Sequence, residues 1–474
     1  MLLVHPVHEL LRQLPLLIGS VVLGSATGNP LWSIGALVFL VVFGVARWFT
    51  TTYRIDDEQV QRRAGVLQRT VLSLPRNRIR SVSTDARLLH RLLGVTVIRV
   101  STGREAKGEA EFALDAVRSA EVPELRAILL SGSSAVSATA VFEAPPQEHV
   151  IARWQPSWLR YSPLSFTGLA MIAAAVGLVY QTGAVAALED SELAREGLDA
   201  AERFGVVITV AVAAVVVLLL SVLLSVVRSL VTFGNLVLSR RDDQLHLEHG
   251  LLRVREQTFD TRRLRGGTLR EPLLVRTFGG ARLDAVMTGV DGSGEASLLL
   301  PPCPVATARG VLTELIGRPD VVSGDLRRHG PVATRRRWTR ALTIPALLGV
   351  VLAGSAVVVP VPPMAWVALG VVTAATAFLA ADRSRALGHR VGDGWLVARA
   401  GSVDRRRDCI AAAGIVGWTV RQTYFQRRAG VATLVAATAA GVKAYRVLDV
   451  PAELAWSVAA TASPWVADNE WAHL

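Results

Sequence analysis

Six long apolar runs interrupt this chain, and they fall in three pairs. Leu14 to Thr27 and Leu31 to Trp48 flank the triplet Gly28-Asn29-Pro30, a turn signal that breaks a helix. Leu164 to Ala187 and Phe204 to Phe233 form the second pair. Ala341 to Val359 and Met364 to Ala380, joined around Val361-Pro362-Pro363, form the third. Apolar runs of about 18 residues or more are long enough to cross a bilayer as helices, and only the first run is marginal by that measure. It is a poor signal peptide, because Glu9 and a lone Arg12 precede it where a cationic leader belongs. Each pair predicts a helical hairpin followed by a polar segment of about a hundred residues.

Inside the polar segments the hydrophobic period drops to two. Tyr53 to Ile55, Gln59 to Arg63, Leu67 to Leu74 and Val95 to Ser101 are short, rich in β-branched residues and punctuated by Asp-Asp, Gly and Pro, which predicts strands. Ala86 to Leu93 has helical spacing and predicts a turn or two of helix between strands. Each segment closes on a predicted helix: Val122 to Leu130, with Pro123 suited to a first turn, then Val305 to Ile316, then Pro451 to Ala460. The three segments also align on a glycine. Gly65, Gly250 and Gly401 stand 29 residues before Gly94, Gly279 and Gly430, and eight residues after Asp57, Asp242 and Asp393. Matched offsets in three places predict a repeated unit, with the first glycine of each at a turn that needs positive φ.

Charge adds an orientation. The loop from Leu188 to Arg203 carries six acidic residues against two arginines, and the Gly-Asn-Pro and Val-Pro-Pro connectors are uncharged. The polar segments are flanked instead by Arg47, Arg54, Arg228, Arg240, Arg335, Arg336, Arg337, Arg383 and Arg385. Basic flanks stay on the cytoplasmic side, so all three segments and both termini are expected in the cytoplasm, beneath the plasma (inner) membrane. The net charge of +12 does not imply nucleic acid. Only Lys107 and Lys443 are lysines, and an Arg-rich, Ala-rich background explains the balance better than a binding code.

The motif string Y-R-I (Tyr53 to Ile55), G-V-L-x-R (Gly65 to Arg69), L-P-x-x-R-I-R-S-V (Leu74 to Val82) and L-L-x-R-L-L-G-V (Leu88 to Val95) resembles the bacterial pleckstrin-homology-like (PH-like) domain of membrane-flanked proteins. The first segment carries it in Tyr53, Gly65, Leu67, Arg69, Pro75, Arg78, Ile79, Val82, Leu89, Leu93 and Gly94. The second keeps Gly250, Leu252, Leu264, Leu274 and Gly279 but has Asp260 and Thr261 near the Pro75 position. The third diverges most, reading Ala411 to Gly414 where the first has Pro-Arg-Asn-Arg. The resemblance implies six transmembrane helices in three hairpins, plus three small β-barrel or bent-sheet domains, each capped by a C-terminal helix. The expected boundaries are hairpins at 1–49, 164–233 and 341–380, and domains at 50–135, 234–325 and 381–474. A linker at 136–163 and a basic linker at 326–340 complete the chain. The resemblance also implies a companion membrane protein, such as a smaller one-domain relative, and roles in envelope stress or resistance to membrane-active peptides.

Little chemistry stands out. Arg76, Arg78 and Arg80 alternate, so on a strand they share one face, and Arg262, Arg263 and Arg265 recur in the second segment. They are either contacts to an anionic surface or, as we prefer, a solvated strand face. Specific phosphoinositide binding is not expected, because the first hairpin turns read Ile-Asp-Asp-Glu, Arg-Asp-Asp-Gln and Val-Gly-Asp-Gly, and carboxylates repel phosphate. Cys303 and Cys409 lack ligand spacing, the nine histidines are scattered, and Arg265-Gly266-Gly267-Thr268 lacks the Lys and spacing of a phosphate loop. No cofactor is implied, and no acid, base, nucleophile or metal cluster offers itself for an enzyme. The central parts of the apolar runs carry no ionisable residue, which favours anchoring over transport. The expected function is a non-enzymatic scaffold presenting docking domains, with an accessory or pathway-forming subunit of an export complex as the alternative. Probes placed near residues 100, 285 and 435 are expected to be unreachable by membrane-impermeant reagents in intact cells; labelling at any of them would overturn the orientation.

Overall fold

The computed structural model describes residues 52–56, 58–64, 70–75, 81–86, 91–92, 94–101, 112–131, 148–165, 170–174, 177, 205–290 and 296–467. The apolar runs Leu14 to Thr27 and Leu31 to Trp48, and most of Leu164 to Ala187, lie outside these residues. The same order of elements recurs in each segment. In the first it is β1 (Thr52–Ile55), β2 (Gln59–Ala64), β3 (Thr70–Pro75), β4 (Ser81–Ala86), β5 (Val95–Ser101), β6 (Phe112–Arg118) and α1 (Val122–Ser131). After β7 (His149–Arg153) comes the long helix α2 (Val206–Phe233). The second segment follows with β8 (Val237–Arg241), β9 (Gln244–His249), β10 (Val254–Asp260), β11 (Leu264–Pro272), α3 (Leu273–Thr277), β12 (Gly280–Met287), β13 (Leu298–Pro304), α4 (Val305–Ile316) and α5 (Pro319–Ser323). Helices α6 (Gly330–Ser355) and α7 (Pro363–Ala386) form a hairpin. The third segment is β14 (Gly388–Gly392), β15 (Trp395–Ala400), β16 (Asp404–Ala411), β17 (Ile415–Arg421), α8 (Tyr424–Arg428), β18 (Val431–Thr438), β19 (Ala444–Pro451) and α9 (Ala452–Ala462).

Among the described residues three helices, α2 over Val207–Phe233, α6 and α7, are long and apolar enough to cross a membrane. Their apolar side chains face outward: Leu218, Leu219, Val350 and Val371 are all more than 60% exposed, as expected of a surface whose solvent is lipid. The boundaries shift from those read in the sequence. The stretch expected as a basic linker, 326–340, is helical from Gly330 onward, so Arg335 to Arg337 ride on the first turns of α6. The cause is tertiary: Arg336 and Arg337 both reach the buried carboxylate of Asp449 on β19, at 3.2 and 2.6 Å.

The strands form antiparallel three-strand meanders, two per segment. By contacts the chain divides into two compact units, 1–153 with 231–262, and 154–230 with 263–474. In the first unit, Val60 of β2 buries against Val82, Ile98, Val100 and Leu114 of the second meander and Val122 and Leu129 of α1. In the second unit, Leu396, Ala398 and Ile410 of β15 and β16 bury against Leu434, Ala436, Val447 and Val450 of β18 and β19, with Val458 and Ala459 of α9 beneath. These are sheet-rich bodies of the kind PH-like folds use. Along β18, whose residues are nearly all apolar, burial alternates from Ala432 onward, the mark of a sheet with one face in a core.

Two of the three turn glycines behave as their spacing predicts; Gly65, with Asp57, lies outside the described residues. Gly250 and Gly401 sit at φ 109° and 104°, and a Cβ at either would collide with the carbonyl oxygen of Arg253 or Asp404. Asp242 and Asp393, eight residues earlier, hold φ of 51° and 53° in the tight β8–β9 and β14–β15 turns. Asp tolerates that left-handed conformation better than most residues, which accounts for its recurrence.

Candidate functional site

The sheets do not stop where a segment stops. The second meander of the first segment joins the first meander of the second, giving a seven-stranded sheet ordered β6-β5-β4-β10-β9-β8-β7. The second meander of the second segment joins the first meander of the third in a six-stranded sheet, β13-β12-β11-β16-β15-β14. The joining pairs, β4 with β10 and β11 with β16, are antiparallel, and they share one register. In the first, Val82 faces Thr258; in the second, Gly267 faces Cys409. Each time the residue seventeen after one segment's glycine faces the residue eight after the next segment's glycine.

Each junction is also pinned by one ion pair at matching positions. At the first, Arg253 grips Asp85 through both Nε, at 2.5 Å, and Nη2, with Arg99 at 3.3 Å from the same carboxylate. At the second the polarity is reversed: Arg270 Nη2 donates to Asp404 Oδ2 at 2.6 Å. Burial alone would raise both carboxyl pKa values, but the bonds and charge of Arg253 and of Arg270 outweigh it, and both lie below the ordinary carboxylate value. Beside the second pair, the Thr268 hydroxyl donates to Asp408 Oδ1 at 2.8 Å. Burial pushes the Asp408 carboxyl up to about 6.

Gly266 and Gly267, which resemble nothing catalytic in sequence, belong to this junction. A Cβ on Gly266 would meet the carbonyl oxygen of Cys409, and one on Gly267 the Leu312 side chain. Their role is close approach, of strand β16 at Gly266 and of helix α4 at Gly267. Segment two also covers the outer face of β16: Arg407 Nη2 donates to the carbonyls of Val321 and Gly324, at 3.1 and 2.8 Å. Cys303 and Cys409 are buried and free, and burial raises both thiols to about 12, which makes them packing groups rather than nucleophiles.

A second cluster lies at the foot of the α6–α7 hairpin. His329, just before α6, places Nδ1 2.7 Å from the Leu448 carbonyl and Nε2 2.8 Å from His389 Nδ1. The carbonyl can only accept, so His329 carries a proton at Nδ1; because burial lowers the pKa of both histidines, the rings pair as neutral groups, with His329 Nε2 accepting from His389 Nδ1. Burial, with the Arg327 charge and the neighbouring His329 both opposing protonation, pushes His389 down to about 4. Backbone bonds between Arg327 and His389 run both ways, at 2.7 and 3.1 Å. Nearby, a cavity of about 470 Å³ is lined by Arg309, Arg328, Arg399 and Arg407 against one carboxylate, Asp325. Arg399 is partly committed, its Nε capping the last turn of α7 through the Ala386 carbonyl at 2.8 Å.

Of the arginines read as anionic-surface contacts, Arg76, Arg78 and Arg80 lie outside the described residues. Arg262 is exposed but held between Asp260 and Asp243, at 3.3 and 3.7 Å. Arg263 ends the short 3-10 turn Thr261–Arg263, and Arg265 lies on β11 with its side chain where a Cβ on Gly414 would point. The basic cavity and the His329–His389 pair were missed in sequence. Their members come from positions up to 98 residues apart, and no local spacing announces them. Among the described residues no group of three or more His, Cys, Asp or Glu could hold a metal ion.

Comparison with known families fits this architecture. The model described as "Bacterial PH domain" matches residues 10–132 and 341–461, together just over half of the chain. The chain belongs to the bacterial PH domain family. No curated protein and no solved structure matches it.

The histidine pair yields a signed pH prediction. A histidine held below its ordinary value of about 6.5 stabilises the fold fully above that pH and progressively less as pH falls toward the folded value. Thermal unfolding of the detergent-solubilised protein should therefore weaken between about pH 6.5 and 4, and His389→Gln, which cannot take the proton, should flatten that slope. An unchanged slope would refute the assignment.

Proposed function

We propose that this protein is a non-enzymatic multi-pass membrane scaffold that presents three PH-like domains on the cytoplasmic side for docking to a protein or an anionic surface. The family is generally non-catalytic, and three helices are of membrane-crossing length. The observation that carries the reading is the state of two strand edges. Among the described residues β3 pairs only with β2, and β17 only with β18. Their counterparts β10, β16, β4 and β11 all accept a neighbouring strand. An unpaired edge offers a row of N–H and C=O groups to an incoming strand. The expected partners are the lipid bilayer and another membrane protein, for which a smaller one-domain relative fits. Neither nucleic acid nor a specific phosphoinositide is among them. Three linked docking bodies raise effective concentration for a multivalent partner, which suits a role in envelope stress or antimicrobial-peptide resistance.

The alternative, a subunit of an export or transport complex, draws on the same apolar helices but has no ionisable group placed centrally in them to handle a substrate. Two measurements separate the readings. Tagged full-length protein, purified in mild detergent, should retain protein at stoichiometric amounts, and proteoliposomes should show no flux. Retention of lipid alone would remove the docking reading, and measurable flux would favour the alternative.

A further inference from the structure

We propose that this chain associates head to tail with a second copy of itself, the outer edge of β17 in one copy pairing antiparallel with the outer edge of β3 in the next. This deepens the scaffold reading and rests on it, naming the occupant of the free edges.

The argument is the shared register of the two junctions the chain already makes. Strand β17 holds the position in the third segment that β4 and β11 hold in theirs, and β3 holds the position of β10 and β16. Transferring the register, Trp418, seventeen after Gly401, faces Ser73, eight after Gly65, and Val420 faces Val71. The side chains agree. At the two internal junctions the residue eight after the glycine is covered, Thr258 to 4% and Cys409 to 0% exposure. In the first segment Ser73 is exposed and Val71 is 54% exposed, an apolar group on an uncovered edge. At the far end of β17, Tyr424 and Phe425 are 64% and 71% exposed. Their neighbourhood at the internal junction is tied down, where the Leu273 amide donates to the Val403 carbonyl at 2.7 Å.

One feature of the internal junctions is missing. The pinning ion pair joins positions twenty and three after the respective glycines, Asp85 with Arg253 and Arg270 with Asp404. By sequence spacing alone the same positions between copies are Arg421 and Gln68, the latter outside the described residues. A neutral acceptor replaces the carboxylate, so this junction is weaker than the internal ones and forms and separates with concentration. Pairing of β17 on one copy with β3 on another is heterologous and leaves an open edge at each end, so it extends beyond dimers unless it closes into a ring.

The test uses full-length protein in nanodiscs or detergent, as two differently tagged copies. With Val71→Cys on one and Val420→Cys on the other, mild oxidation should join the two tags, increasingly at higher protein concentration. Val71→Cys with Thr419→Cys, which points to the other face, should not. Gln68→Asp should tighten self-association about two- to fivefold by supplying an exposed ion pair. Arg421→Asp should weaken it, and Gln68→Arg added to Arg421→Asp should restore it with the polarity of the first internal junction. Tags that never join, a 71–420 bond found only within one chain, or an edge occupied by a different protein without self-association would each overturn the proposal. In that last result partner retention persists and the scaffold reading survives; retention of lipid alone sinks the scaffold reading itself.

Discussion

A β-strand edge that is left bare leaves backbone groups without partners and invites adventitious pairing, and this constraint organises the sheet architecture of the described residues. Each segment is built as two three-strand meanders, and each meander ends on an edge. Where another segment follows, the edge is closed by that segment's first meander in a fixed register, so two sheets of seven and six strands run through the segment boundaries. The charged pairs Asp85–Arg253 and Arg270–Asp404 then fix which strand meets which. A slip of one residue would send every side chain to the wrong face, and it would separate each of these charges from its partner.

The long apolar helices α6 and α7 are tied closely to the sheets. Helix α7 ends at Ala386, and β14 starts two residues later at Gly388. The first turns of α6 are bound to β19 through Arg336, Arg337 and Asp449, and His329 is bound to the Leu448 carbonyl of that strand. Gln426 Nε2 adds a bond to Asp449 Oδ1 at 2.8 Å, so one buried carboxylate is shared by the helix foot and by α8. Few freely rotating residues separate the hairpin from the body it carries, and a displacement of the hairpin reaches β14 and β19 directly.

The parts that rest on local periodicity were legible in the chain. Helix α4 begins and ends where the apolar spacing placed it, at Val305 and Ile316, and β5 spans Val95–Ser101 as read. The paired glycines and the preceding aspartates announced turns because backbone stereochemistry restricts what can occupy them. The junctions were not legible. Pairing of β4 with β10 depends on residues more than 160 positions apart, and alternation along a strand says which face is buried, not which strand lies beside it. The basic linker was misread for a related reason: Arg335 to Arg337 look like a solvated connector until Asp449, more than a hundred residues on, is seen beneath them. Arg262, read as an anionic-surface contact or part of a solvated strand face, could not be paired with Asp243 and Asp260 for want of the same information.

The most direct test of this account is cross-strand disulfide trapping at the first junction. Ser83 on β4 faces Gln257 on β10, so Ser83→Cys with Gln257→Cys should form an intrachain disulfide readily in the folded protein, while Ser83→Cys with Thr258→Cys, one residue out of register, should not. Failure of the first pair, or preference for the second, would contradict the claim that neighbouring segments are joined edge to edge in this register.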